Sequence, residues 1–366
     1  MNNLFETFNL GGLTMPNRMV MAPMTRTRAS EEGVPSNLMR DYYAQRASAG
    51  LIVTECTEVS DQAHGIIHAP GMHRPDQVAG WRHVVDAVHA AGGRIYNQLW
   101  HCGRSAHPDM RGGEQPVGPS PIAAVGEFFL PSGRVPYPVP RELAVSEIPG
   151  IVEDFARAAQ SAKDAGFDGV ELHGAFGYLQ DQFLQDASNR RTDKYGGSIP
   201  NRARLMLETF EAIAGVWGPE RVGVKLSPSN RLTGMFDSTG LATFGYVTKA
   251  LDDLAAGYIH LMEPNATDLE TGTVQIKRVA ETFRPIITRP LIANGGFDKT
   301  KAQSTLEAGS ADLVSFGVPF IANPDLPERF SADAPLNPPD LTTFYGSGPR
   351  GYTDYPVSVG QRVETT

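Results

Sequence analysis

Cysteine is scarce in this sequence, and so are other features that mark specialised classes of protein. The 366 residues include two cysteines, Cys56 and Cys102, which are too few for the disulfide framework of a small secreted protein. No apolar run approaches the length that spans a membrane, and the N-terminus lacks the pattern of a signal peptide. We therefore expect a cytoplasmic protein that has no membrane partner.

Basic clusters are missing as well. Lys and Arg total 32 against 41 Asp and Glu, so the formal net charge is −9 at pH 7, and the charge is spread along the chain without a basic block. This balance indicates a solvated acidic surface and gives no reason to expect a nucleic-acid partner. The hydrophobic content of 41% is ordinary for a soluble globular protein and supplies ample material for a core.

The sequence does contain a short pattern that returns five times, an Ala-Gly pair followed by an apolar run. Gly in the left-handed conformation closes a helix, and a bulky apolar run is typical of a buried parallel strand. The five runs are LIVTE (51–55), RIYNQL (94–99), FDGVEL (167–172), YIHLM (258–262) and ADLVSFG (311–317). Less marked runs at 18–23, 222–227 and 290–294 bring the predicted strands to eight.

Stretches with helical spacing lie between these strands, for example after a Ser36 cap and after Ser146. Eight strand-then-helix units favour an α/β fold of the (β/α)8 TIM-barrel type over a doubly wound sheet. In such a barrel, catalytic residues gather where the carboxyl ends of the strands open into loops.

Two segments fall outside the repeat. Residues 3–16 carry a Gly-Gly turn between two short apolar pieces and predict an N-terminal hairpin that closes the bottom of the barrel. Residues 103–141 are rich in Pro and Gly and follow the third strand, so we expect an excursion that caps the catalytic face as a lid or pocket wall. Disorder is the alternative for this segment, and its several apolar residues argue against it. We expect one domain over residues 1–356, followed by a C-terminal tail at 357–366.

Candidate site residues follow seven of the eight predicted strands. A lone His or Gln at a strand end is more often satisfied by neighbouring backbone than catalytic, but the joint placement of many such residues predicts one distributed site. In chain order they are Pro23, Met24 and Thr25; Glu55 and Cys56; Gln98, Trp100 and His101; His173; Lys225; Asn294, Gly295 and Gly296; and Ser315, Phe316 and Gly317. The glycine turns after the last two strands suit a phosphate, because Gly lets backbone N–H groups approach an anion closely. A phosphorylated ligand is therefore expected.

The run from Phe167 to Asn201 joins a strand to a dense polar segment, and it resembles the signature of the Old Yellow Enzyme family of flavin-dependent ene-reductases. In that family a His, a second His or Asn three positions on, and a Tyr two positions further serve the substrate. The matching residues here are His173, Phe176 and Tyr178, so Phe176 departs from the pattern. Segments such as MAPMTRTRA, QLWHCGR and FYGSGPRGYTDYP are also similar to family segments and stand in the family's order. The resemblance covers about residues 3–356.

The resemblance implies FMN, bound non-covalently, as the cofactor and NADPH as the hydride donor. Lys225 stands where the family has an Arg near the flavin's N1 and O2, and it still supplies positive charge there. Val318 replaces a second family Arg, which removes one phosphate ligand. The residues implied to line the isoalloxazine ring are Pro23, Met24, Thr25, Cys56 and Gln98, and those implied for the phosphate loops are Asn294, Gly295, Gly296, Phe316, Gly317 and Val318.

On the substrate side, the resemblance implies that Tyr178 is the proton donor and that His173 donates a hydrogen bond to the substrate's carbonyl. Trp100 and Tyr345 would be pocket walls, and Phe176 would line the pocket at the position of the second donor. A fixed donor at the carbonyl stabilises the charge that builds there when hydride from reduced flavin adds to the alkene. The implied reaction is the reduction of α,β-unsaturated ketones, aldehydes, maleimides or nitroalkenes, by a monomer or small homo-oligomer.

Three other functions stay open at this point. A member of the same family that mainly reduces nitrate esters or nitroaromatics would use the same flavin. A flavin-binding barrel with impaired turnover is kept open by Phe176 and Val318. A barrel lyase would need metal ligands or a buried Schiff-base lysine, which the strand ends do not clearly supply. The histidines at positions 64, 68 and 73 lack partners at the spacing of metal ligands, so we expect them to be locally bonded or solvated and expect no metal.

Overall fold

Eight parallel strands close into a barrel in the computed structural model, which describes residues 3–358. Val314 of the last strand pairs with Met19 of the first, which closes the ring. All eight strands overlap the predicted apolar runs, which confirms the (β/α)8 barrel. In chain order they are β1 (Met19–Met21), β2 (Leu51–Glu58), β3 (Ile95–Trp100), β4 (Gly169–Gly174), β5 (Val222–Leu226), β6 (Tyr258–Met262), β7 (Leu291–Asn294) and β8 (Leu313–Phe316).

Helices connect the strands and cover the outside of the barrel. They are α1 (Asn37–Ala44), α2 (Pro75–Ala90), α3 (Ile148–Asp164), α4 (Leu179–Leu184), α5 (Ile199–Trp217), α6 (Gly240–Asp253), α7 (Ala266–Glu270), α8 (Val279–Phe283), α9 (Lys299–Glu307), α10 (Val318–Ala322) and α11 (Leu326–Ser331). Short 3-10 turns lie at Asp61–Ala63, Pro108–Met110, Pro219–Arg221, Leu232–Gly234, Arg284–Ile286 and Leu341–Thr343. Within residues 3–358, no helix is long and apolar enough to cross a membrane.

Both helices predicted after serines are present, but only one of those serines caps its helix. The Ser36 hydroxyl accepts a hydrogen bond from the Met39 N–H at 3.3 Å, which confirms it as the cap of α1. Ser146 does not cap α3, because Glu147 occupies that position and its carboxylate accepts a hydrogen bond from the Ala144 N–H at 2.7 Å. Pro149 stands in the first turn of α3, where its missing N–H needs no partner.

The predicted N-terminal hairpin is present and closes the barrel's lower end. Strands Phe8–Leu10 and Leu13–Met15 pair antiparallel across the Gly-Gly turn. Leu10 and Met15 are fully buried in a cluster with side chains from the lower parts of the barrel strands, Val20 and Leu51 among them. The apolar ends of the strands are thereby shielded from water, so the functional groups are left to the opposite rim.

The excursion at 103–141 follows β3 as predicted, but it contains more regular structure than its composition indicates. Strands Glu127–Leu130 and Gly133–Pro136 form an antiparallel hairpin, and Val117–Gly118 pairs with Arg141–Glu142. It is tied to the loop after β5, since the Val125 N–H donates to the Thr233 carbonyl at 3.0 Å. A lid role for this segment stays a prediction, as does the division into a domain at 1–356 and a tail at 357–366. Residues 359–366 of that tail lie outside the described residues.

Candidate active site

A chain of polar side chains crosses the interior of the barrel below its carboxyl rim. Glu171 of β4 is fully buried and accepts a hydrogen bond from Gln98 Nε2 of β3 at 2.7 Å. Its other oxygen lies 2.8 Å from His260 Nδ1 of β6, and His260 Nε2 lies 2.7 Å from the Ser315 hydroxyl of β8. Alternate residues of a strand face the same side, so Glu171 and His173 both point into the barrel.

Lys225 of β5 supplies a cation at this rim. It is 2% exposed and is paired in register with His173 on one side and His260 on the other. Burial lowers the pKa of its ammonium to about 8, and the charge of Glu171 opposes that shift. Within residues 3–358 this ammonium makes no hydrogen bond and lies 5.5 Å from the Phe176 ring centroid, so its N–H groups are free to donate to a ligand.

His173 is held neutral with one donor available. Burial lowers the pKa of its imidazole to about 3, and the nearby charge of Lys225 adds to that effect. The Ala175 N–H donates to His173 Nδ1 at 3.3 Å, so the neutral ring carries its proton on Nε2. That Nε2–H has no partner in the described part of the chain, which makes it a candidate donor to a bound ligand.

Tyr178 and Trp100 form one wall next to this donor. The Tyr178 ring meets both the His173 ring and the Trp100 ring edge to face, with centroid distances of 5.0 Å and interplanar angles of 90°. Burial raises the pKa of the Tyr178 phenol well above its usual value, with smaller contributions from Cys56 and Tyr137. The phenol therefore keeps its proton at neutral pH. Three predicted substrate residues, His173, Tyr178 and Trp100, are brought together.

Phe176 adopts a backbone conformation that is rare for its residue type. Its φ is +57°, in the left-handed region, and its N–H donates to the Ser227 hydroxyl at 2.8 Å. The ring lies 6.0 Å from the His173 ring and 5.5 Å from the Lys225 ammonium. The structure thus brings Phe176 to the predicted site, where it contributes an apolar wall.

Thr25, in the loop after β1, meets Cys56 near the carboxyl end of β2. Their Oγ1 and Sγ atoms are 3.0 Å apart. Burial raises the pKa of the Cys56 thiol, so the sulfur keeps its hydrogen and can donate it to Thr25. In that arrangement the hydroxyl hydrogen of Thr25 is free for a ligand.

The loop after β1 also contacts the loop after β8. The Ala22 N–H donates to the Phe316 carbonyl at 3.0 Å. Met24 Sδ lies 3.4 Å from the point that a Cβ on Gly317 would occupy, and Pro23 is half-buried beside it. Residues predicted to contact a ring and residues predicted to contact a phosphate therefore share one surface.

The two glycine turns predicted for a phosphate lie side by side. The Asn294 side chain donates to the Ser315 carbonyl at 3.3 Å, which links the ends of β7 and β8. Gly295 and Gly296 have φ values of +111° and +62°, which favour glycine, and a Cβ on Gly296 would meet only open space. Val318 is 45% exposed at the start of α10 and adds no charge.

A clamp from the loop after β1 holds the C-terminal loop against the rim. We use "clamp" for Arg26, Thr27 and Arg28. Arg26 donates to the carbonyls of Phe344 and Gly351, each at 2.8 Å, and Thr27 Oγ1 accepts from the Gly346 N–H at 2.9 Å. Arg28 adds hydrogen bonds to the same loop, which carries Tyr345. Tyr345 itself is 68% exposed, although it is near enough to Tyr178 to help raise that phenol's pKa.

The residues present fit FMN in three respects. Lys225 offers a buried ammonium whose N–H groups suit the carbonyl oxygens of the pyrimidine edge. Thr25 has a hydroxyl hydrogen to give, and Gln98 has an amide whose orientation is fixed by Glu171. Gly296 leaves open space beside a backbone suited to an anion.

Sequence reasoning did not assign roles to Glu171, His260 or Ser227, although each contacts a predicted site residue. The signal that could have found Glu171 and His260 is a titratable residue in the middle of an apolar strand, in GVELHG and YIHLM, because such a residue must have a buried partner. Two of the three histidines at 64, 68 and 73 are locally bonded, His64 to Glu58 at 2.7 Å and His73 to Asp61 at 3.0 Å.

Comparison with known proteins gives a consistent picture. Residues 3–337 match the family described as NADH:flavin oxidoreductase / NADH oxidase. The chain is 42% identical over 358 residues to 12-oxophytodienoate reductase 1 of Oryza sativa subsp. japonica, with 96% of this chain and 92% of that protein covered. It is 40% identical over 380 residues to flavin oxidoreductase hxnT of Emericella nidulans, with 97% of each covered.

Solved structures agree. Morphinone reductase in complex with tetrahydroNAD is 48% identical, with a TM-score of 0.91 and 97% of both chains covered. The old yellow enzyme homologue from Zymomonas mobilis is 42% identical, with a TM-score of 0.93, covering 97% of this chain and 99% of that one.

Proposed function

Because this chain belongs to the NADH:flavin oxidoreductase / NADH oxidase family, we propose that it is an FMN-containing ene-reductase that uses NADPH to reduce activated C=C bonds. Its relatives identify it as an FMN-dependent NAD(P)H oxidoreductase of the Old Yellow Enzyme kind. The acceptors we propose are α,β-unsaturated ketones, aldehydes, maleimides and nitroalkenes. The observation that carries the proposal is a neutral His173, with a free N–H, next to the protonated phenol of Tyr178.

These two side chains suit the two charge movements of alkene reduction. FMN, when bound and reduced, supplies the hydride. The His173 Nε2–H donates to the acceptor's carbonyl oxygen, where negative charge develops as hydride arrives at the β-carbon, and a fixed donor there lowers the barrier. Tyr178 then gives its proton to the α-carbon, and Trp100, Phe176 and Tyr345 form the walls that orient the acceptor.

The cofactor would be held by residues from six strand ends. Pro23, Met24, Thr25 and Cys56 would line its ring, and Gln98 and Lys225 would meet the pyrimidine edge. Lys225 supplies positive charge there, but as a point charge it lacks the planar fork of an Arg. The phosphate would be held by Asn294, Gly295, Gly296, Phe316, Gly317 and Val318.

Phe176 supports a second candidate, a flavin-binding barrel with low turnover. A phenyl ring has no strong donor, so His173 polarises the acceptor's carbonyl without help. Reduction of nitrate esters or nitroaromatics is a further candidate, because such acceptors do not require a proton on carbon.

Anaerobic titration of the purified yellow protein tests these functions. We expect NADPH to bleach the flavin absorbance and cyclohexenone or N-ethylmaleimide to restore it. NADH is measured alongside, since morphinone reductase was solved with tetrahydroNAD. A colourless protein that takes up no FMN would contradict the proposal.

Two other outcomes select the alternatives. A yellow protein that neither nicotinamide bleaches is a flavin-binding barrel. One that is bleached, and is reoxidised by a nitrate ester but by none of the alkenes, is a nitro-compound or nitrate-ester reductase.

A further inference from the structure

The buried Glu171 and its partners have no part in the hydride and proton steps. Glu171 and His260 have no exposed surface, Ser315 is 1% exposed, and their contacts span β4, β6 and β8. Burying a carboxylate is costly unless its hydrogen bonds and charge are matched. A barrel that merely needed packing would fill this layer with apolar side chains.

The protonation states of Glu171 and His260 follow from their surroundings and their hydrogen bonds. Burial acts to raise the pKa of Glu171, but His260, Lys225 and the bond from Gln98 outweigh it, so that the pKa lies below its ordinary value. Burial lowers the pKa of His260. Glu171 is thus an anion and His260 is neutral, with Nδ1–H donating to Glu171 and Nε2 accepting from the Ser315 hydroxyl.

Glu171 fixes which way the Gln98 amide points. One amide hydrogen of Gln98 is used by the carboxylate at 2.7 Å, and lone-pair repulsion keeps Gln98 Oε1 away from it. Gln98 therefore presents one acceptor and one remaining N–H to a ligand. That pair complements an imide edge, in which a ring N–H stands next to a carbonyl, as in the pyrimidine ring of a flavin.

Glu171 also balances Lys225. It is the anion that raises the Lys225 pKa against the effect of burial, and the other titratable groups around the pair, His173, His260 and Tyr258, are neutral. Removing the carboxylate lowers the Lys225 pKa further, but at a pH below that pKa the field of Lys225 would act on a ligand uncompensated. A cation favours the reduced, anionic form of a flavin.

We infer that Glu171 is a positioning residue for the cofactor, which orients Gln98 toward the pyrimidine edge and offsets part of the charge of Lys225 there. The inference rests on the proposed function, since it requires FMN to occupy the rim. The Glu171 side chain has two roles in this inference: its position orients Gln98, and its charge offsets Lys225. A separate variant tests each role.

Glu171→Gln removes the charge and keeps the shape. The amide oxygen of the new side chain can still accept from Gln98. The hydrogen bonds beyond it can reverse their direction, so that the new amide donates to His260 Nδ1 and His260 Nε2–H donates to Ser315. The Ser315 hydroxyl can then donate to the Ala293 carbonyl, which lies 3.4 Å away. We expect reduced FMN to gain about tenfold over oxidised FMN in relative affinity, the size of one charge-assisted contact. That ratio corresponds to a midpoint potential raised by ~30 mV for a two-electron couple.

Glu171→Asp keeps the charge and shortens the reach. We expect the midpoint potential to stay within a few millivolts of wild type, while oxidised FMN binds to the apoprotein on the order of tenfold more weakly because Gln98 loses its fixed orientation. Potentials are measured by equilibration with a reference dye, and affinities by quenching of flavin fluorescence.

Glu58→Gln is the matched control. Glu58 is also a buried carboxylate paired with a histidine, His64 at 2.7 Å, but it contacts neither Gln98 nor Lys225. We expect its potential and FMN affinity to equal those of wild type. Equal potentials for Glu171→Gln and Glu58→Gln, with FMN bound to both, would overturn the role of charge. An unchanged FMN affinity in Glu171→Asp would overturn the role of geometry.

Ser315→Ala keeps the test open if neither Glu171 variant folds. It removes the hydroxyl that donates to His260 Nε2, with little change in volume. His260 can then take up a proton more easily and so offset the charge of Glu171, and we expect a shift of the potential in the same direction as Glu171→Gln. A wild-type potential in Ser315→Ala would then overturn the inference. Failure of the proposed function has a different signature, because the wild-type protein itself would bind no FMN or would not be reduced.

Discussion

At the scale of single residues, Phe176 is notable for backbone strain, which is unexpected for a residue of its type. A side chain with a Cβ pays about 1–2 kcal/mol in the left-handed region, and Phe176 sits there with φ +57°. Asn tolerates this conformation better than most residues. The backbone is kept there by the bond from its N–H to Ser227 and by Gly177, whose φ is also positive. The local turn thus suits the polar residue that Phe176 replaces.

Phe176→Asn should therefore stabilise the protein and activate it. We expect the free energy of unfolding to rise by up to about 1 kcal/mol, and a phenol to bind more tightly because Asn adds a donor beside His173. Cyclohexenone reduction should become faster, by up to about 10²-fold if the donor reaches the carbonyl. Urea unfolding, phenol titration and stopped-flow reoxidation measure these effects.

Phe176→Leu is the control, since it keeps the strained conformation and adds no donor. If Asn and Leu give the same phenol affinity and the same reoxidation rate, position 176 does not limit carbonyl activation.

Tyr178→Phe should separate the two half-reactions. Phe keeps the edge-to-face contacts with His173 and Trp100 but has no proton to give. We expect flavin reduction by NADPH to keep its rate, and reoxidation by cyclohexenone to slow by about 10²-fold or more. Anaerobic stopped-flow absorbance follows each step separately.

Tyr137→Phe makes the same change at a neighbouring phenol in the excursion, and both of its half-reactions should run at wild-type rates. Equal slowing of the two steps in Tyr178→Phe would instead indicate a structural role for the hydroxyl.

At the scale of elements, the strands were predictable because each requires a long stretch of consistent chemistry. Buried parallel strands are continuous apolar runs, and the Ala-Gly pairs mark the ends of the helices before them. The hairpin at 127–136 was not predicted, because Pro136 and the exposed Phe129 blur the alternation on which a strand prediction depends. The polar chain through Glu171 and His260 was missed because its members belong to different strands, and only the barrel's register brings them together.

Two strand ends share a local hydrogen bond that the sequence did not predict, in which the backbone N–H two residues on donates to a histidine Nδ1. At the end of β3, the Gly103 N–H donates to His101 Nδ1 at 3.0 Å, and at the end of β4 the Ala175 N–H donates to His173 Nδ1 at 3.3 Å. Burial lowers the pKa of both imidazoles to about 3. Each histidine is thus neutral in the native protein at a pH where an unfolded chain would protonate it.

These histidines give the fold a defined acid sensitivity. As pH falls below the ordinary histidine pKa of 6.5, these two histidines become protonated in the unfolded state. In the native state they stay neutral down to about pH 3. Each histidine therefore lowers the free energy of unfolding by about 1.4 kcal/mol per pH unit in this window. His173→Asn should reduce the slope by that amount between pH 6 and 4, as measured by urea unfolding of the apoprotein.

His83→Asn, on the exposed face of α2, is the control and should leave the slope as it is. A slope in His173→Asn equal to that of wild type would show that His173 is protonated in the native protein.

For the whole molecule, we expect the bound cofactor to contact loops from opposite sides of the barrel and so to stabilise the native state. A ligand that binds only the native state at one hundred times its Kd adds about 2.7 kcal/mol of stability. Adding FMN to the apoprotein should therefore raise its melting temperature, and Gly296→Val should abolish the rise. Valine is strained at φ +62° and would distort the turn proposed to meet the phosphate.

Gly309→Val controls for strain alone. Gly309 has φ +68° and the same open surroundings, but it follows α9 away from the rim. Both variants should lose similar stability as apoproteins, whereas only Gly296→Val should purify with little FMN. If Gly296→Val and Gly309→Val purify with equal amounts of FMN, the phosphate does not bind at the Gly296 turn.

The closure of β8 on β1, together with the clamp, sets a condition on how the protein is made. A ribosome releases β1 and the clamp well before their partners, β8 and the loop at 343–351, which stand much later in the sequence. Until β8 emerges, one edge of β1 has no neighbour to pair with, and such edges favour wrong pairings. A nascent chain can thus assemble seven strands and still lack the rim proposed to bind the flavin, which is completed only when β8 and the loop at 343–351 have emerged.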